Sequence, residues 1–560
     1  MSIAHPRRTG AQILIDQLKI HGADTVFCVP GESYLAALDA VYDANSIRLV
    51  VCRQEGGAAM MADAYGKLTG RPGIVFATRG PGACNASSGV HVAMQDSTPL
   101  ILFIGQVARG TRGREAFQEV DFRQMFGGMV KWADEIDDPR RLPELVSRAF
   151  HVATGGRPGP VVLALPEDML TETAAVGDAR PYERVEPHPG PAQMRALAAA
   201  LAASARPVML LGGSQWDEAT VAAVEAFALA NKLPVCCGFR RQDRFDNAHP
   251  CYAGDVGLGV NPRLAARLKD SDLLIVVGAR LGEATSGGYT LLDIPVPQQR
   301  LVHIHPDPEE LGRVYEPFLA INASPRSFAA ALAALAPVAA PRWAAAAAEA
   351  HRDYLAWQEP VASPGALQMS ELVRWLSDHL PDGAIICNGA GNFTTWVHRF
   401  YRYRRFGAQL APTSGSMGYG FPAAVAAKLV HPERTVVCFA GDGDFLMTGQ
   451  ELATVMQHEL ALIVLVVNNG LYGTIRMHQE RHYPGRVVGT TLTNPDFAAL
   501  ARAYGAYADT VTRTEDFAAA FARAVASGRP ALIELKLDPE ALTISQSTSQ
   551  IRAAARAERG

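Results

Sequence analysis

The residues best placed to do chemistry are an acidic turn and a pair of amides. TVVCFAGDGDF contains Gly441–Asp442–Gly443, and 24 residues separate Gly443 from Asn468–Asn469. The apolar runs before each read as strands, with a helix over Gly449–Gln457 between them. In a right-handed βαβ unit both strands end on one edge of the sheet. Asp442 and Asn469 then lie side by side where open α/β sheets bind ligands. A carboxylate and an amide oxygen are hard donors that suit Mg2+, an ion that keeps phosphates in its shell. Gly443 and the amides after it can approach those phosphates, helped by a helix N-terminus. For GDG alone, a plain turn with a capping Asp competes with this reading; the spaced Asn pair weighs against it.

A second signal lies upstream. RLVVCRQEGGAAMMADAYGKLTGRPG runs from strand into helix with Glu55 at the junction. In isolation that carboxylate reads as an ordinary stabilising first-turn residue. The turn TRGPGACN, Arg79–Asn85, follows a strand and resembles a ligand loop. Other candidates carry blander readings. His303 and His305 alternate in an apparent domain-edge strand, and His478 and His482 are spaced for one helix face without further zinc ligands. HRFYRYRR, His398–Arg405, reads as a surface or subunit-contact segment, and the terminal IRAAARAERG as a mobile tail or lid extension.

The elements that must position these residues form three blocks. Residues 174–192 are rich in Pro, Gly and charge and read as a linker. Residues 336–365 form a second connection enclosing a helix from Trp343 to about Gln358. The blocks are 1–173, 190–336 and 366–540, each close to single-domain size. Near-continuous apolar strands such as PLILFIG, LLIVVGA and ALIVLVVNN, alternating with helical patterns, imply parallel sheets covered on both faces. The expected fold class is α/β, three consecutive open parallel-sheet domains; similarity between the blocks is too faint to read as a repeat. Composition agrees: 48% hydrophobic, 19% charged and a formal charge of −4 fit a globular chain with no bulk attraction to nucleic acid or anionic membrane. Apolar runs such as Leu460–Val467, eight residues, are too short for a bilayer. The eight cysteines form no CxxC pair, and with no apolar signal run at the N-terminus the expected location is cytoplasmic.

Together, VPGE, QEGGAA, TGRPG, GPGACN, GQV, FQEVD and the GDG-x24-NN pair resemble, in order, the thiamine-diphosphate-dependent enzymes of the acetolactate synthase, pyruvate oxidase and decarboxylase superfamily. The resemblance runs from Gly22 to about residue 540 and implies pyrimidine-binding, central and diphosphate-binding domains. By this match Glu55 is the glutamate that hydrogen-bonds the aminopyrimidine and promotes deprotonation of the thiazolium carbon, which attacks a 2-keto acid and expels carbon dioxide. Asp442, Asn469 and the Leu471 carbonyl match the Mg2+ ligands. Ala390, Gly391 and Asn392 match the loop holding the diphosphate's far end, and Met417 the apolar wedge that bends the cofactor. The same correspondence gives Gly31, Asn85, Gly415, Gly441, Gly443, Asp444, Tyr472, Gly473, Thr474 and Ile475 as cofactor-binding positions. It also implies a homodimer or homotetramer with active sites between subunits.

Phe117 and Gln118 in GREAFQEVD match the FQE segment of acetolactate synthases, and the histidine pair of pyruvate decarboxylases is absent. Carboligation of a small 2-keto acid is therefore expected, with Gln118 orienting the acceptor and non-ligating decarboxylation as the alternative. Three departures mark a divergent member. Glu32 stands where biosynthetic synthases have Gly, His478 where they have Trp, and Phe393 where a His assists the diphosphate loop. Glu32 is thus a third catalytic candidate, an acid that could protonate the intermediate. LLGGSQW, VVGARLGE and LVHIHPDPEELGR parallel the FAD segments of flavin-containing members, leaving FAD an open alternative in the central block. A nicotinamide oxidoreductase is disfavoured because GPGACN and GAGNFT both stop short of GxGxxG. A regulatory paralogue without turnover is disfavoured by intact Glu55, Asp442 and Asn469.

Overall fold

The computed structural model describes residues 5–559 and contains three six-stranded, all-parallel sheets. The chain divides into two compact units, Met1–Val185 with Val425–Pro432 and Thr448–Leu460, and Glu186–Ala424 with Glu433–Met447 and Ala461–Gly560.

In the first unit the sheet order is Arg48–Val51, Thr25–Cys28, Gly73–Ala77, Leu100–Gln106, Pro160–Pro166, Trp132–Glu135. The two strands Leu100–Gln106 and Pro160–Pro166 are buried along their whole length, as runs of apolar residues covered on both faces must be. Each fully buried Phe or Ile here, such as Phe103 or Ile101, contributes about 1.5–3 kcal/mol. The helix Glu55–Thr69 starts at Gln54, whose side chain accepts from Gly57 N, and stops at Gly70, which takes φ +67°. It packs closely on the helix Pro81–Asp96 because small residues meet there: a Cβ on Gly89 would lie 2.5 Å from Ala59 Cβ, and one on Gly56 3.0 Å from the Asn85 carbonyl.

In the second unit the central sheet runs Tyr252–Asp255, Val235–Cys237, Pro207–Leu211, Leu273–Val277, Arg300–His305, Leu319–Asn322. Numbered by chain position this is 3-2-1-4-5-6, the dinucleotide-fold order. The other sheet runs Gln409–Leu410, Ile385–Asn388, Val436–Gly441, Ile463–Asn468, Ala531–Lys536, Tyr507–Val511, which is 2-1-3-4-6-5. The sheet of the first unit has the same 2-1-3-4-6-5 order. The repeat that side chains conceal is therefore present in the topology.

Several sequence expectations change. HRFYRYRR is not a surface segment: His398, Phe400, Tyr401 and Tyr403 are buried, because the loop after Val235–Cys237 docks against them. There Gln242 Nε2 donates to the His398 carbonyl (2.7 Å) and to Asp255 Oδ1 (3.0 Å), and Gln242 N donates to Gln409 Oε1 (2.8 Å). His303 and His305 lie on an interior strand paired on both sides, not an edge; the His303 ring bonds the Ala279 carbonyl at 2.8 Å. The terminal segment is a helix, Thr548–Ala557, opened by a Ser547–Gln550 capping box. Within the second connection the helix spans Ala346–Trp357. Among the described residues no helix is long and apolar enough to cross a membrane.

Burial pushes Asp255 up to about 7, so its protonated form favours the fold. That contribution is complete below the ordinary carboxylate range and lost as pH rises toward 7. Relative to the wild type, Asp255→Asn should therefore gain stability between pH 4 and 7, by at most roughly 4 kcal/mol. Thermal unfolding across a pH series measures this, and a constant difference would refute it.

Candidate active site

Open α/β sheets bind ligands where the strand order reverses, at the carboxyl ends of the strands. For the sheet of the first unit that point lies between Thr25–Cys28 and Gly73–Ala77. The loops leaving these strands carry Gly31–Glu32 and Thr78–Arg79–Gly80. Ser33 Oγ bonds Thr78 Oγ1 at 2.9 Å and accepts from Arg79 N, tying the two loops together. Gly31 is required by this approach, since a Cβ there would lie 2.5 Å from Thr78 Cβ. Glu32 is exposed at the start of a single 3-10 turn.

Glu55 and Asn85 are brought together by their two helices. Asn85 Nδ2 donates to Glu55 Oε2 at 3.0 Å, and Glu55 is only 7% exposed. Gln118 sits at φ +65° with its carbonyl 2.9 Å from where Gly80 would carry a Cβ, so its loop lies on the TRGPG turn. The base of that loop is held by Gln106, whose Nε2 donates to the Val120 carbonyl at 2.9 Å. Phe117 is 76% exposed.

Sequence reasoning missed Glu451. Its carboxylate is fully buried and accepts from Arg53 N (3.0 and 3.2 Å), Gln54 N (3.0 Å) and Thr454 Oγ1 (2.6 Å). It thereby satisfies amides just ahead of the helix that opens at Glu55. Its sequence separation from that helix left no local signal.

In the second unit the order reverses between Ile385–Asn388 and Val436–Gly441. The loops there are Gly389–Ala390–Gly391–Asn392 and Asp442–Gly443–Asp444. Asp444 Oδ1 accepts from Ala390 N (3.2 Å) and Gly418 N (2.7 Å), stapling three loops together, the third being the one that carries Gly415 and Met417. Burial pushes this carboxyl up to about 7. Gly389 has no alternative, because a Cβ would lie 2.1 Å from Asp444 Oδ1. Phe393 is buried, and its ring lies 3.0 Å from the Cβ positions of both Gly391 and Gly441.

Asp442 is nearly buried, and its Oδ1 accepts from Gly443 N at 2.9 Å. Its Oδ2 accepts from Gly470 N and from Asn494 Nδ2, both at 2.8 Å. Burial nevertheless raises its pKa, and a cation alongside would lower it again. Asn469 Oδ1 accepts from Leu471 N at 3.1 Å, which places Leu471 on the same turn. The Tyr472 ring lies against Gly443, 2.5 Å from its Cβ position. The helix Gly473–His482 follows, with Thr474 Oγ1 donating to Asn392 Oδ1 at 2.9 Å. Ile475 is 56% exposed and Met417 half-buried. One buried carboxylate with neutral oxygen donors around it fits Mg2+. Among the described residues no group of three His, Cys, Asp or Glu is gathered to hold a metal.

The C-terminal segment closes over this half. Asn392 Nδ2 donates to the Leu542 carbonyl at 3.0 Å. Glu480, fully buried, takes Arg552 Nε (2.8 Å) and Nη2 (2.6 Å), Arg476 Nε (3.1 Å) and Gly485 N (3.0 Å). Arg552 holds the Glu480 carboxyl down at about 2. Arg552→Ala should cost about 1.5–3 kcal/mol of stability, read by denaturant unfolding; a loss near zero would mean the helix Thr548–Ala557 is not anchored there.

The central sheet reverses between Pro207–Leu211 and Leu273–Val277, where a dinucleotide would lie. There a Cβ on Gly213 would lie 2.0 Å from the Gly278 carbonyl. Trp216, 5% exposed, donates its indole N–H to the Gly212 carbonyl at 2.8 Å, and Arg241 Nε donates to the Gly213 carbonyl. These contacts order the loops that leave the two strands.

Within the first unit Glu55 and Asn85 are paired, and within the second the GDG and NN turns leave neighbouring strands, in two sheets of identical strand order. The thiamine pyrophosphate enzyme family matches as its N-terminal TPP binding domain over residues 8–125, its central domain over 194–332 and its C-terminal TPP binding domain over 389–535. The chain belongs to the thiamine pyrophosphate enzyme family. It is 32% identical over 538 residues to the acetolactate synthase isozyme 2 large subunit of Escherichia coli K12, covering 94% of this chain and 95% of that protein. It is 32% identical over 550 residues to the acetolactate synthase large subunit of Parasynechococcus marenigrum (94% and 87%). With the corresponding subunit of Corynebacterium glutamicum it shares 31% over 558 residues (96% and 88%). It is an acetolactate synthase-like thiamine pyrophosphate enzyme.

Proposed function

We propose that this enzyme decarboxylates a small 2-keto acid such as pyruvate and joins the remaining fragment to a second carbonyl compound. The observation that carries the reading is the buried Glu55 paired with Asn85, in a chain that also holds the Asp442–Asn469 turn. Bound thiamine diphosphate would supply the carbon nucleophile and the electron sink for loss of carbon dioxide. Glu55, with Oε2 engaged by Asn85, would hold a proton at Oε1 toward the aminopyrimidine. Asp442, Asn469 and the Leu471 carbonyl would hold Mg2+ against the diphosphate, and Ala390, Gly391 and Asn392 its far end. Gln118, uncharged, would orient the acceptor carbonyl without donating a proton to the reacting carbon. Glu32 would line the same reversal point as Gly31.

The proposal extends to domain limits of 1–173, 190–336 and 366–540, and to a homodimer or homotetramer that completes each active site. FAD in the central domain stays an open alternative. Seven of the eight free cysteines are buried, which supports action in the reducing cytoplasm. The test is incubation with pyruvate, thiamine diphosphate and Mg2+, with products identified by NMR and an absorbance spectrum of the purified protein. Acetolactate is expected, and the presence or absence of flavin bands decides whether the central domain carries FAD. Free aldehyde alone would replace ligation by simple decarboxylation.

A further inference from the structure

We propose that Asn494 is a positioning residue that selects which oxygen of Asp442 and which of the two adjacent asparagines face the cation. The inference rests on the reading of Asp442 as a metal ligand. Asn494 Nδ2 donates at once to Asp442 Oδ2 (2.8 Å) and to Asn468 Oδ1 (2.9 Å). Gly470 N donates to the same two oxygens, at 2.8 and 3.2 Å. Oδ2 of Asp442 and Oδ1 of Asn468 are therefore each engaged by two donors. Asp442 Oδ1 has the single donor Gly443 N and keeps a lone pair for a cation.

The bracing continues inward. Asn468 Nδ2 donates to Glu534 Oε1 at 2.7 Å, and Lys536 Nζ donates to that same oxygen at 2.6 Å. Glu534 is 1% exposed, so the network is anchored in the sheet. Asn468 is thus consumed by the protein, and Asn469, half-buried on the turn, is the amide left for the metal. Residues that orient metal ligands commonly change metal affinity by about 10–100-fold when lost.

The experiment measures Mn2+ binding by electron paramagnetic resonance in the full-length protein with saturating thiamine diphosphate. Asn494→Ala should weaken Mn2+ binding about 10–100-fold, in protein that still unfolds in a single cooperative transition without metal or cofactor. Asn494→Ser, which also removes the amide donor but leaves a smaller void, should show the same loss if the alanine variant folds poorly. Unaltered Mn2+ affinity in a folded variant overturns the proposal. A wild-type protein that binds no Mn2+ with thiamine diphosphate would instead overturn the assignment of Asp442 itself.

Discussion

Replacing Glu55 by Gln should lower turnover of pyruvate by about 10²–10⁴-fold and leave the fold intact. Gln retains an oxygen to accept from Asn85 Nδ2, now at 3.0 Å, and occupies nearly the same volume in a site only 7% exposed. What it loses is a carboxyl oxygen able to exchange a proton with the aminopyrimidine in the proposed mechanism. The closely packed helices Glu55–Thr69 and Pro81–Asp96 leave the side chain little freedom to be replaced by solvent. Melting temperature and thiamine-diphosphate binding, followed by fluorescence, should therefore stay near wild type while steady-state turnover collapses. Turnover within a few-fold of wild type would sink the proposed role. A collapse of stability as well would make Glu55 chiefly a packing residue.

Asp442→Asn should act at the other half, on the cation. It removes the one carboxylate among otherwise neutral donors, and affinity for Mg2+ in the presence of thiamine diphosphate should fall on the order of 100-fold or more. The sign for the protein without metal is the opposite. Burial raises the Asp442 pKa, so its charge opposes the empty fold near neutral pH. The Asn variant relieves that charge but turns its own amide N–H toward a group that donates to Asp442, so its melting temperature should change little when cofactor and metal are absent. Mg2+ plus thiamine diphosphate should raise the melting temperature of the wild type only, because a ligand stabilises in proportion to its binding. Equal ligand-induced shifts in both proteins would refute the assignment.

The chemistry of the turns was legible because it is local. A strand, an acidic Gly-rich turn and a second strand ending in two asparagines oblige Asp442 and Asn469 to share a sheet edge, whatever the rest of the chain does. The three α/β blocks were legible for a similar reason, since buried parallel strands must be apolar on both faces. HRFYRYRR does not lie on the surface as a whole: its histidine and aromatics are buried while Arg404 and Arg405 stay exposed. Gln242, far away in the chain, donates to the His398 carbonyl, a contact with no local sequence signal.

By itself the sequence determined the order of elements, the hard-oxygen character of the Asp442 and Asn469 turns and the presence of a carboxylate at the head of a helix. Only the tertiary structure decided which partners those groups have. Glu451 supports the amides before Glu55 from a segment 396 residues later. Asn494 separates the roles of Asn468 and Asn469, and two of the three sheets turn out to share one strand order. The physical reason is the same in each case. Hydrogen bonds that orient a functional group are short-range in space but unrestricted in sequence separation, so they leave no local pattern to read.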